Sequence, residues 1–323
     1  MIEYSVIIPH KNIPKLLQRC LDSIPQRDDL EVIVIDDNSD PNIVNFEKFP
    51  GLDRKDTTVI FDKSGKGAGR ARNIGLQHAQ GKWLIFADAD DYFNYCIRDI
   101  LDEYREDEAD IVFFSVSSVD CETYINVGRA DFFMWVVRDY FQNKEIGELN
   151  FRYVLASPWG KIIKRSFLEK NGIDFQETQI SNDVRFSYIS GYYASKITVD
   201  RRALYCLTYR PFSIQHSITD EKILEKVSVL TARDRFFIEH CIPLPLGLNY
   251  IDILADLKEM GKERLYSQCM NFVASNAIPQ SIIEDKINKE LKRRRILHRD
   301  SFWLRFRDRL AIRTRIRNLF RII

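Results

Sequence analysis

The first 120 residues of the chain alternate between two hydrophobic patterns. Short runs that are apolar on both faces and rich in β-branched residues predict buried strands, at 4–8, 31–35, 57–61, 82–87 and 110–117. Between these runs, apolar residues at helical spacing predict helices over 14–24, 70–79 and 96–106. The alternation predicts a doubly wound, mostly parallel α/β sheet. In such sheets ligands bind beyond the carboxyl ends of the strands.

The middle of the chain mixes both patterns. An aromatic-rich stretch predicts a buried or interfacial helix over 130–143. Helical spacing predicts another helix over 159–170, which Asn171 and Gly172 would close as a C-cap. Two strand-like pieces follow, at 196–199 and 204–208.

Beyond Ser217 the pattern is helical. The spacing predicts helices over 220–241, 251–274 and 281–295, with a break at Pro243 and Pro245. We therefore expect three parts, an α/β domain over 1–217, a C-terminal helical extension over 218–295 and a basic amphipathic tail over 296–323.

Composition narrows the class of protein. With 45% apolar and 29% charged residues, the chain is typical of a folded protein. Its six cysteines are scattered without a C-x-x-C pair, which argues against a zinc site or a disulfide framework and favours a reducing cytoplasm. Met1 leads directly into the first strand, and no window approaches the ~18 consecutive apolar residues of a membrane span. We expect a cytoplasmic protein without a transmembrane helix.

The charge is unevenly distributed. Residues 286–323 contain fourteen Lys and Arg against three acidic residues, so this end carries a net charge of +11 while the rest of the chain carries −10. Basic and apolar residues together favour an anionic bilayer surface, here the inner leaflet of the cytoplasmic membrane. The alternative is that the tail docks on the acidic body of the chain or on a second copy. The acidic remainder disfavours nucleic acid as a partner.

Two acidic clusters follow predicted strands. Asp36 and Asp37 end the second strand, where carboxylates can accept hydrogen bonds from a nucleobase and a ribose; the alternative is a turn rich in Asx residues. Asp88, Asp90 and Asp91 follow the fourth strand and repel one another unless a cation neutralises them. Oxygen ligands without a nearby His or Cys suit Mg²⁺ or Mn²⁺ that bridges phosphate oxygens. A solvated acidic turn is the alternative.

Two further clusters precede predicted helices. The glycine-rich segment 65–75 lets the backbone approach an anion at a helix N-terminus. It follows the third strand rather than the first and lacks G-K-[ST], so neither the dinucleotide fingerprint nor a P-loop fits. The run Ser181-Asn182-Asp183-Val184 precedes an apolar helical stretch, and composition alone favours Asp183 as an N-cap over a catalyst.

The order of these motifs resembles the family-2 inverting glycosyltransferases of GT-A fold. The resemblance covers roughly residues 3–215 and lies in four motifs, Ser5–Pro9, Asp36–Ser39, Ala71–Gly75 and Asp88–Asp91. Two downstream runs, Trp159–Leu168 and Tyr209–Ile214, resemble the family's bacterial surface-polysaccharide branch, which makes capsule and lipopolysaccharide.

The resemblance implies roles for individual residues. Asp37 would read the uracil edge, Pro9 would line the base pocket and Arg72 would approach the nucleotide. Asp90 would bind the metal directly, and Asp88 would face the ribose or the metal. The remaining nucleotide-side residues that the resemblance implies are Asp36 and Asn73.

On the acceptor side, the resemblance implies Asp183 as the general base and places Trp159, Tyr209 and Arg210 near the acceptor or the pyrophosphate. Two positions depart from the family's pattern. Asn182 replaces the first acid of the family's Glu-Asp pair, so only Asp183 can serve as the base. Lys11 replaces the aromatic residue that stacks on the base, and could meet a phosphate instead.

The implied activity is inverting transfer of a sugar, of the hexosyltransferase type, from a nucleotide-diphosphate sugar (UDP-linked by resemblance) to a saccharide or polyprenyl-diphosphate-linked acceptor. Mn²⁺ or Mg²⁺ would neutralise the leaving diphosphate, and one carboxylate would deprotonate the acceptor hydroxyl. A sugar nucleotidyltransferase is an alternative, but it expects a glycine-rich loop where Pro9-His10-Lys11-Asn12 lies. A catalytically degenerate sugar-nucleotide-binding scaffold is the other alternative.

Overall fold

The computed structural model describes residues 1–210, 219–242, 250–274 and 280–295. The chain divides into two compact units, the first Met1–Val229 and the second from Leu230 onward. The predicted tail (296–323), the proline break (243 and 245) and the end of the Tyr209–Ile214 motif lie outside the described residues. The predicted domain limits at 217 and 295 remain predictions.

The first unit alternates strands and helices. Its elements are β1 (Tyr4–His10), α1 (Pro14–Asp22), β2 (Leu30–Asp37), β3 (Thr57–Asp62), α2 (Ala68–His78), β4 (Trp83–Phe86), β5 (Tyr92–Phe93), α3 (Ile97–Glu103), β6 (Ile111–Asp120), α4 (Asp131–Gln142), α5 (Lys144–Tyr153), β7 (Lys161–Lys164), α6 (Arg165–Asn171), α7 (Asn182–Tyr193) and β8 (Ile197–Tyr209). Helix α8 (Asp220–Glu239) contains the boundary between the units.

The described strands form one sheet in the order β3-β2-β1-β4-β7-β6-β8-β5. Strand β1 pairs in parallel with β2 and β4, β2 with β3, and β6 with β8. The predicted mostly parallel α/β fold is thus confirmed. Antiparallel pairing enters at two places that the pattern does not mark: β7 lies between β4 and β6, and the short β5 adds to β8.

Two predicted elements are wrong in part. Residues 159–170 do not form one helix, because Lys161–Lys164 form β7 before α6 begins at Arg165. A short apolar run fits a buried strand as well as a helix, and pairing on both sides decides in favour of the strand. The two predicted strand pieces after residue 195 are one strand, β8, with a register irregularity opposite Phe114 and Ser115.

The predicted C-cap at Gly172 is confirmed by its left-handed backbone, with φ of 59°.

Packing of α2 on the sheet positions the site. A Cβ at Gly75 would lie 2.3 Å from Ile7 Cγ2, so only a glycine lets α2 approach β1 this closely. Strands β1 and β2 are buried along almost their whole length. The N-terminus of α2 therefore lies beside the carboxyl end of β2, where Asp37 is located.

The second unit is helical in its described part. It contains α9 (Ile251–Glu259), α10 (Glu263–Ala274) and a helical segment over 280–295. The single helix predicted over 251–274 is interrupted by a turn at Gly261, whose φ is +68°. Among the described residues, no helix combines the length and apolar character needed to cross a membrane.

Candidate active site

A buried network joins the ends of β1 and β2. Ile13 N–H donates to His10 Nε2 at 3.1 Å, so the ring proton lies on Nδ1 and is donated to Asp36 at 2.8 Å. Ser39 donates to both oxygens of the same carboxylate. Burial alone would raise the pKa of Asp36, but the bonds from His10 and Ser39 outweigh it and hold the pKa below its ordinary value.

Asp36, which the sequence predicts on the nucleotide side, has a fully buried side chain in this structure, and its carboxylate accepts bonds from His10 and Ser39. These bonds orient the end of β2. The sequence could not distinguish Asp36 from Asp37, because alternation along a strand sends adjacent side chains to opposite faces only once the register is known.

Asp37 lies at the start of α2. Gly67 N–H donates to both of its carboxylate oxygens at 3.1 Å, and Lys11 Nζ donates to Oδ2 at 3.2 Å. The Lys11 side chain is 41% exposed, so its ammonium group is accessible to a ligand. Pro9, predicted to line the base pocket, is buried within β1 opposite Ile35 of β2.

Arg72 is the central cation of the site. Buried on α2, it donates from Nη1 to Asn182 Oδ1 at 2.8 Å and from Nη2 to Asp88 Oδ1 at 2.6 Å. Its guanidinium lies 5.3 Å from the ring centre of Phe175. Arg72 thereby connects the end of β4 with the start of α7.

Asn73, predicted to face the nucleotide, binds the backbone instead. Its amide donates to Phe175 O and accepts from Phe175 N–H, both at 2.9 Å. A Cβ at Gly69 would lie 2.1 Å from Gln176 O, so a glycine at this position lets α2 pack closely against the same segment. Asn73 thereby fixes the segment that leads into α7, because the amide N–H and C=O groups bind the C=O and N–H of a single residue, Phe175.

The three acids after β4 have different surroundings. Asp88 is 33% exposed and paired with Arg72, and Asp90 is 24% exposed and accepts two bonds from Arg210. Asp91 is buried and accepts from Thr208 N–H at 2.7 Å. Burial, with the charges of Asp90 and Asp88, raises the pKa of Asp91 well above its ordinary value. Asp91 therefore anchors the turn to β8, while the side chains of Asp88 and Asp90 are partly exposed.

The donor set of Asp88 and Asp90 fits a hard divalent cation. Among the described residues no group of three or more His, Cys, Asp or Glu side chains could hold a metal ion. Mg²⁺ and similar ions are commonly held by one or two carboxylates together with substrate phosphates and water. The arginine bonds described above use one oxygen of each carboxylate, Asp88 Oδ1 and Asp90 Oδ2, which leaves the other oxygen available for coordination.

Asp183 lies in the first turn of α7. The N-cap is Ser181, held in a left-handed conformation with φ of 55°, so Asp183 is not the cap that composition favours. Burial raises the pKa of Asp183 above its ordinary value, although the nearby charge of Arg72 opposes the shift. A carboxyl group with a raised pKa is better suited to accept a proton than an ordinary surface carboxylate.

An aromatic stack lies beside these acids. The Trp159 ring stacks on Tyr205 with centroids 5.7 Å apart, and it also contacts Phe133 at 5.4 Å. The Tyr205 hydroxyl accepts from Asp88 N–H at 2.7 Å. At the end of β8, Tyr209 is 38% exposed and Arg210 reaches Asp90. The predicted acceptor-side residues therefore lie at the same edge as the acids after β4.

A family model described as glycosyl transferase family 2 matches residues 5–172, which is more than half of the chain. This chain belongs to glycosyl transferase family 2. The family resemblance seen in the sequence is thereby confirmed.

Two of the relatives that the chain resembles are bacterial glycosyltransferases. The chain is 26% identical over 281 residues to poly(ribitol-phosphate) beta-N-acetylglucosaminyltransferase TarS of Staphylococcus aureus, an alignment that covers 84% of this chain and 44% of TarS. It is 27% identical over 274 residues to glycosyltransferase GlyG of Streptococcus pneumoniae, covering 79% of this chain and 87% of GlyG. The chain thus spans less than half the length of the full TarS protein.

Solved structures show the same fold. The crystal structure of S. aureus TarS 1-349 in complex with UDP-GlcNAc matches with a TM-score of 0.54 and 20% identity, covering 91% of this chain and 92% of that one. The complex of the same fragment with UDP matches with a TM-score of 0.56 and 19% identity. At this identity, the likeness establishes the shared fold of this family-2 chain.

The site also contains residues to which the sequence patterns assign no role. Arg19 of α1 donates to Asp90 O at 2.6 Å and to Thr208 at 3.2 Å, and Lys161 is buried in β7. Arg19 lies on a helix whose pattern marks only its apolar face, so nothing local identifies it. Lys161 lies inside the helix that the sequence predicts over 159–170, so its position at the start of a buried strand emerges only from the structure.

Proposed function

We propose that this family-2 chain transfers a sugar from a nucleotide-diphosphate sugar to an acceptor hydroxyl with inversion at the anomeric carbon. The observation that carries the proposal is the position of Arg72, which binds Asp88 directly and acts electrostatically on Asp183. One cation thus binds a carboxylate suited to the donor side and, through Asn182, the first turn of the helix that carries a carboxyl group suited to accept a proton.

UDP is the nucleotide we propose for the donor. TarS, with which this chain shares its fold, has been crystallised with UDP and with UDP-GlcNAc. In this chain Asp37 would contact the base or the ribose, beside Pro9. Lys11 would contact a phosphate. Arg72 and Arg210 would supply positive charge to the diphosphate.

Asp90 and Asp88 would hold Mn²⁺ or Mg²⁺, which when bound would neutralise charge on the leaving diphosphate. Deprotonation of the acceptor is carried out by a residue of the chain itself. Asp183 takes the proton of the acceptor hydroxyl as that oxygen forms a bond to the anomeric carbon. The bond from this carbon to the diphosphate breaks on the opposite face, so the configuration inverts.

The acceptor we propose is a saccharide or a polyprenyl-diphosphate-linked saccharide of a bacterial surface polysaccharide. The Trp159 ring is partly exposed and packed against Tyr205, which suits it to contact a sugar face. Tyr209 is the exposed aromatic residue at the same edge.

The test is release of UDP and formation of product from a panel of UDP-sugars, with Mn²⁺, Mg²⁺ or EDTA, in the presence of candidate acceptors. We expect metal-dependent UDP release that requires an acceptor, with opposite anomeric configurations in donor and product. Tight binding of UDP-sugar without turnover would favour a scaffold. Pyrophosphate release from UTP and a sugar phosphate would favour a nucleotidyltransferase.

We further propose that residues 296–323 hold the enzyme on the inner face of the cytoplasmic membrane. The support is the sequence alone: basic residues there alternate with Phe, Trp, Leu and Ile. Flotation with anionic liposomes tests this, using the full chain and a variant in which the arginines of this segment are replaced by glutamine. Equal soluble fractions of the two proteins would refute the proposal.

A further inference from the structure

Arg19 of α1 reaches the acidic turn that follows β4. Its Nη2 donates to the main-chain oxygen of Asp90 at 2.6 Å and to Thr208 Oγ1 at 3.2 Å. Its Nη1 donates to Cys121 O at 3.5 Å, just after β6 ends. The guanidinium carbon lies 5.2 Å from the centre of the Tyr92 ring in β5. One side chain of α1 therefore joins the acidic turn to three strands that lie beside it.

The contact with Arg19 also orients the hydroxyl group of Thr208. An arginine side chain has only donors, so Thr208 Oγ1 accepts the bond from Arg19 and keeps its own proton for another acceptor. That acceptor is Asp90 O. The Thr208 N–H donates to Asp91 Oδ1 at 2.7 Å. Thr208 thus binds two consecutive residues of the acidic turn, and Arg19 sets the direction of one of these bonds.

These bonds differ in kind from the pair that Arg210 makes with Asp90. Arg210 donates to the carboxylate of Asp90, the group that we propose for the metal. Arg19 and Thr208 donate to the main-chain oxygen of the same residue. A cation on the carboxylate therefore leaves the bonds from Arg19 and Thr208 in place. They hold the backbone from which the carboxylate of Asp90 projects.

A second arginine makes similar bonds away from the acids. Arg54 donates from Nε to Asp56 at 2.7 Å and from Nη2 to Ile24 O at 2.9 Å, and it also binds Leu21 O. The buried Nε of Arg19, by contrast, has no hydrogen-bond partner among the described residues. An unpaired buried donor is unfavourable for stability. The Arg19 side chain is therefore placed for its Nη contacts with the acidic turn at some expense of its own hydrogen bonding.

We propose that Arg19 is a positioning residue for the metal site, which holds the main chain of Asp90 so that its carboxylate is directed at a divalent cation. This inference rests on the proposed function, since Asp90 is the metal ligand proposed there. Arg19 acts through Asp90 and Thr208, and it does not itself bind the cation. Residues that orient a metal ligand in this way commonly contribute about ten- to a hundredfold to metal affinity.

The experiment is calorimetric titration of the nucleotide-free full chain with Mn²⁺, for the wild type and for Arg19→Lys. Lysine keeps the positive charge, but a single ammonium group cannot reproduce the fork that spans Asp90 O, Thr208 Oγ1 and Cys121 O. We expect the affinity for Mn²⁺ to fall roughly tenfold or more. A higher Mn²⁺ concentration should then restore transfer, because the change weakens metal binding and leaves the reacting groups in place.

Arg54→Lys is the matched control, because it removes bonds from a half-buried arginine to main-chain oxygens elsewhere. Denaturant unfolding should show that both lysine variants lose stability. Only Arg19→Lys should lose affinity for Mn²⁺. Wild-type Mn²⁺ affinity in Arg19→Lys, or an equal loss in both variants, would overturn the inference.

A second pair of variants tests the same contact without altering an arginine, and it serves if Arg19→Lys fails to fold. Thr208→Val removes the hydroxyl group with little change of shape or charge, so we expect weaker Mn²⁺ binding. Thr208→Ser keeps the hydroxyl group and should recover most of the affinity. Equal affinities in these two variants would overturn the inference.

The wild type and Asp90→Asn separate this inference from the proposed function. Mn²⁺ binding by the wild type that Asp90→Asn abolishes supports the metal site, and the Arg19 and Thr208 variants then decide the inference. Absence of Mn²⁺ binding by the wild type, or binding that survives in Asp90→Asn, would refute the proposed metal site and the inference with it.

Discussion

Arg210 donates from Nε and Nη2 to the same oxygen of Asp90, Oδ2, at 3.0 and 2.7 Å. The pair joins the end of β8 to the turn after β4, across 120 positions of sequence. A divalent cation on the other oxygen of Asp90, Oδ1, would compete with Arg210 for the negative charge of this carboxylate. Arg210 would then be free to meet the diphosphate of the donor.

Replacing Arg210 tests this competition. In Arg210→Gln we expect Mn²⁺ to bind the nucleotide-free protein several-fold more tightly, because Asp90 loses its internal cation, while the donor KM rises. Titration calorimetry measures the metal affinity. Weaker Mn²⁺ binding by the variant would contradict the competition.

Asp90→Asn should lower transfer by two or more orders of magnitude while the protein stays folded. The Asp90 side chain is 24% exposed, so the change removes charge without opening the core. Turnover in saturating Mn²⁺ and circular dichroism are the measurements. Asp62→Asn is the control, since Asp62 also ends a strand and pairs with an arginine, Arg70, at 3.2 Å. Similar losses in both variants would argue against a metal role.

Asp183→Asn should lower kcat by a factor of about 10² or more with UDP affinity retained, because the amide cannot accept the proton. Burial raises the pKa of Asp183, so the acidic limb of the wild-type profile should lie above 3.8. Asp174→Asn, which removes an exposed partner of Arg185, is the control. Near-native turnover by Asp183→Asn would end the assignment of the base.

Asn182→Ala should remove one of the two hydrogen bonds that orient the Arg72 guanidinium. The Nη1 of Arg72 would lose its acceptor, and among the described residues its buried Nε already has no hydrogen-bond partner. We expect a loss of about 1–3 kcal/mol in the free energy of unfolding and a donor KM that rises more than kcat falls. Denaturant unfolding and steady-state kinetics measure both. Asn171→Ala, which removes a bond to Phe167 O, should leave donor KM unchanged.

Lys161 should make stability depend on pH. Between about 7 and its ordinary value of 10.5, the unfolded chain holds the lysine proton and the folded chain does not. The free energy of unfolding therefore rises with pH there, by up to about 1.4 kcal/mol per unit relative to Lys161→Met. Urea titrations at several pH values measure the difference. Parallel curves for the two proteins would show that the lysine is not perturbed.

The strands that sequence patterns identify best are those that are apolar on both faces. Strands β1, β2 and β4 are long or strongly apolar runs flanked by turns, so local composition decides them. The four residues of β7 are too few to show a period, and their state depends on β4 and β6 on either side. Strand β5 has two residues and exists only through its pairing with β8.

Within the site, too, local sequence does not decide what tertiary contacts decide. Asp37 and Asp36 are neighbours with equal chemistry, yet one faces the start of α2 and the other is enclosed by His10 and Ser39. Asn73 and Arg72 are likewise adjacent, but the helix turns one towards Phe175 O and the other towards Asp88. Which partner each member of a pair meets depends on the direction of its side chain, and a sequence motif does not contain that direction.

By itself the sequence determined the fold class, the family, and the edge of the sheet where the candidate site lies, because hydrophobic period and motif order can be read along the chain. Only the tertiary structure decided that Arg72 joins Asp88 to Asn182, that Arg210 meets Asp90, and that Lys161 is buried opposite Phe113. These pairs bring together residues far apart in sequence. Their strength depends on distance and on the exclusion of water, and both exist only after the chain has folded.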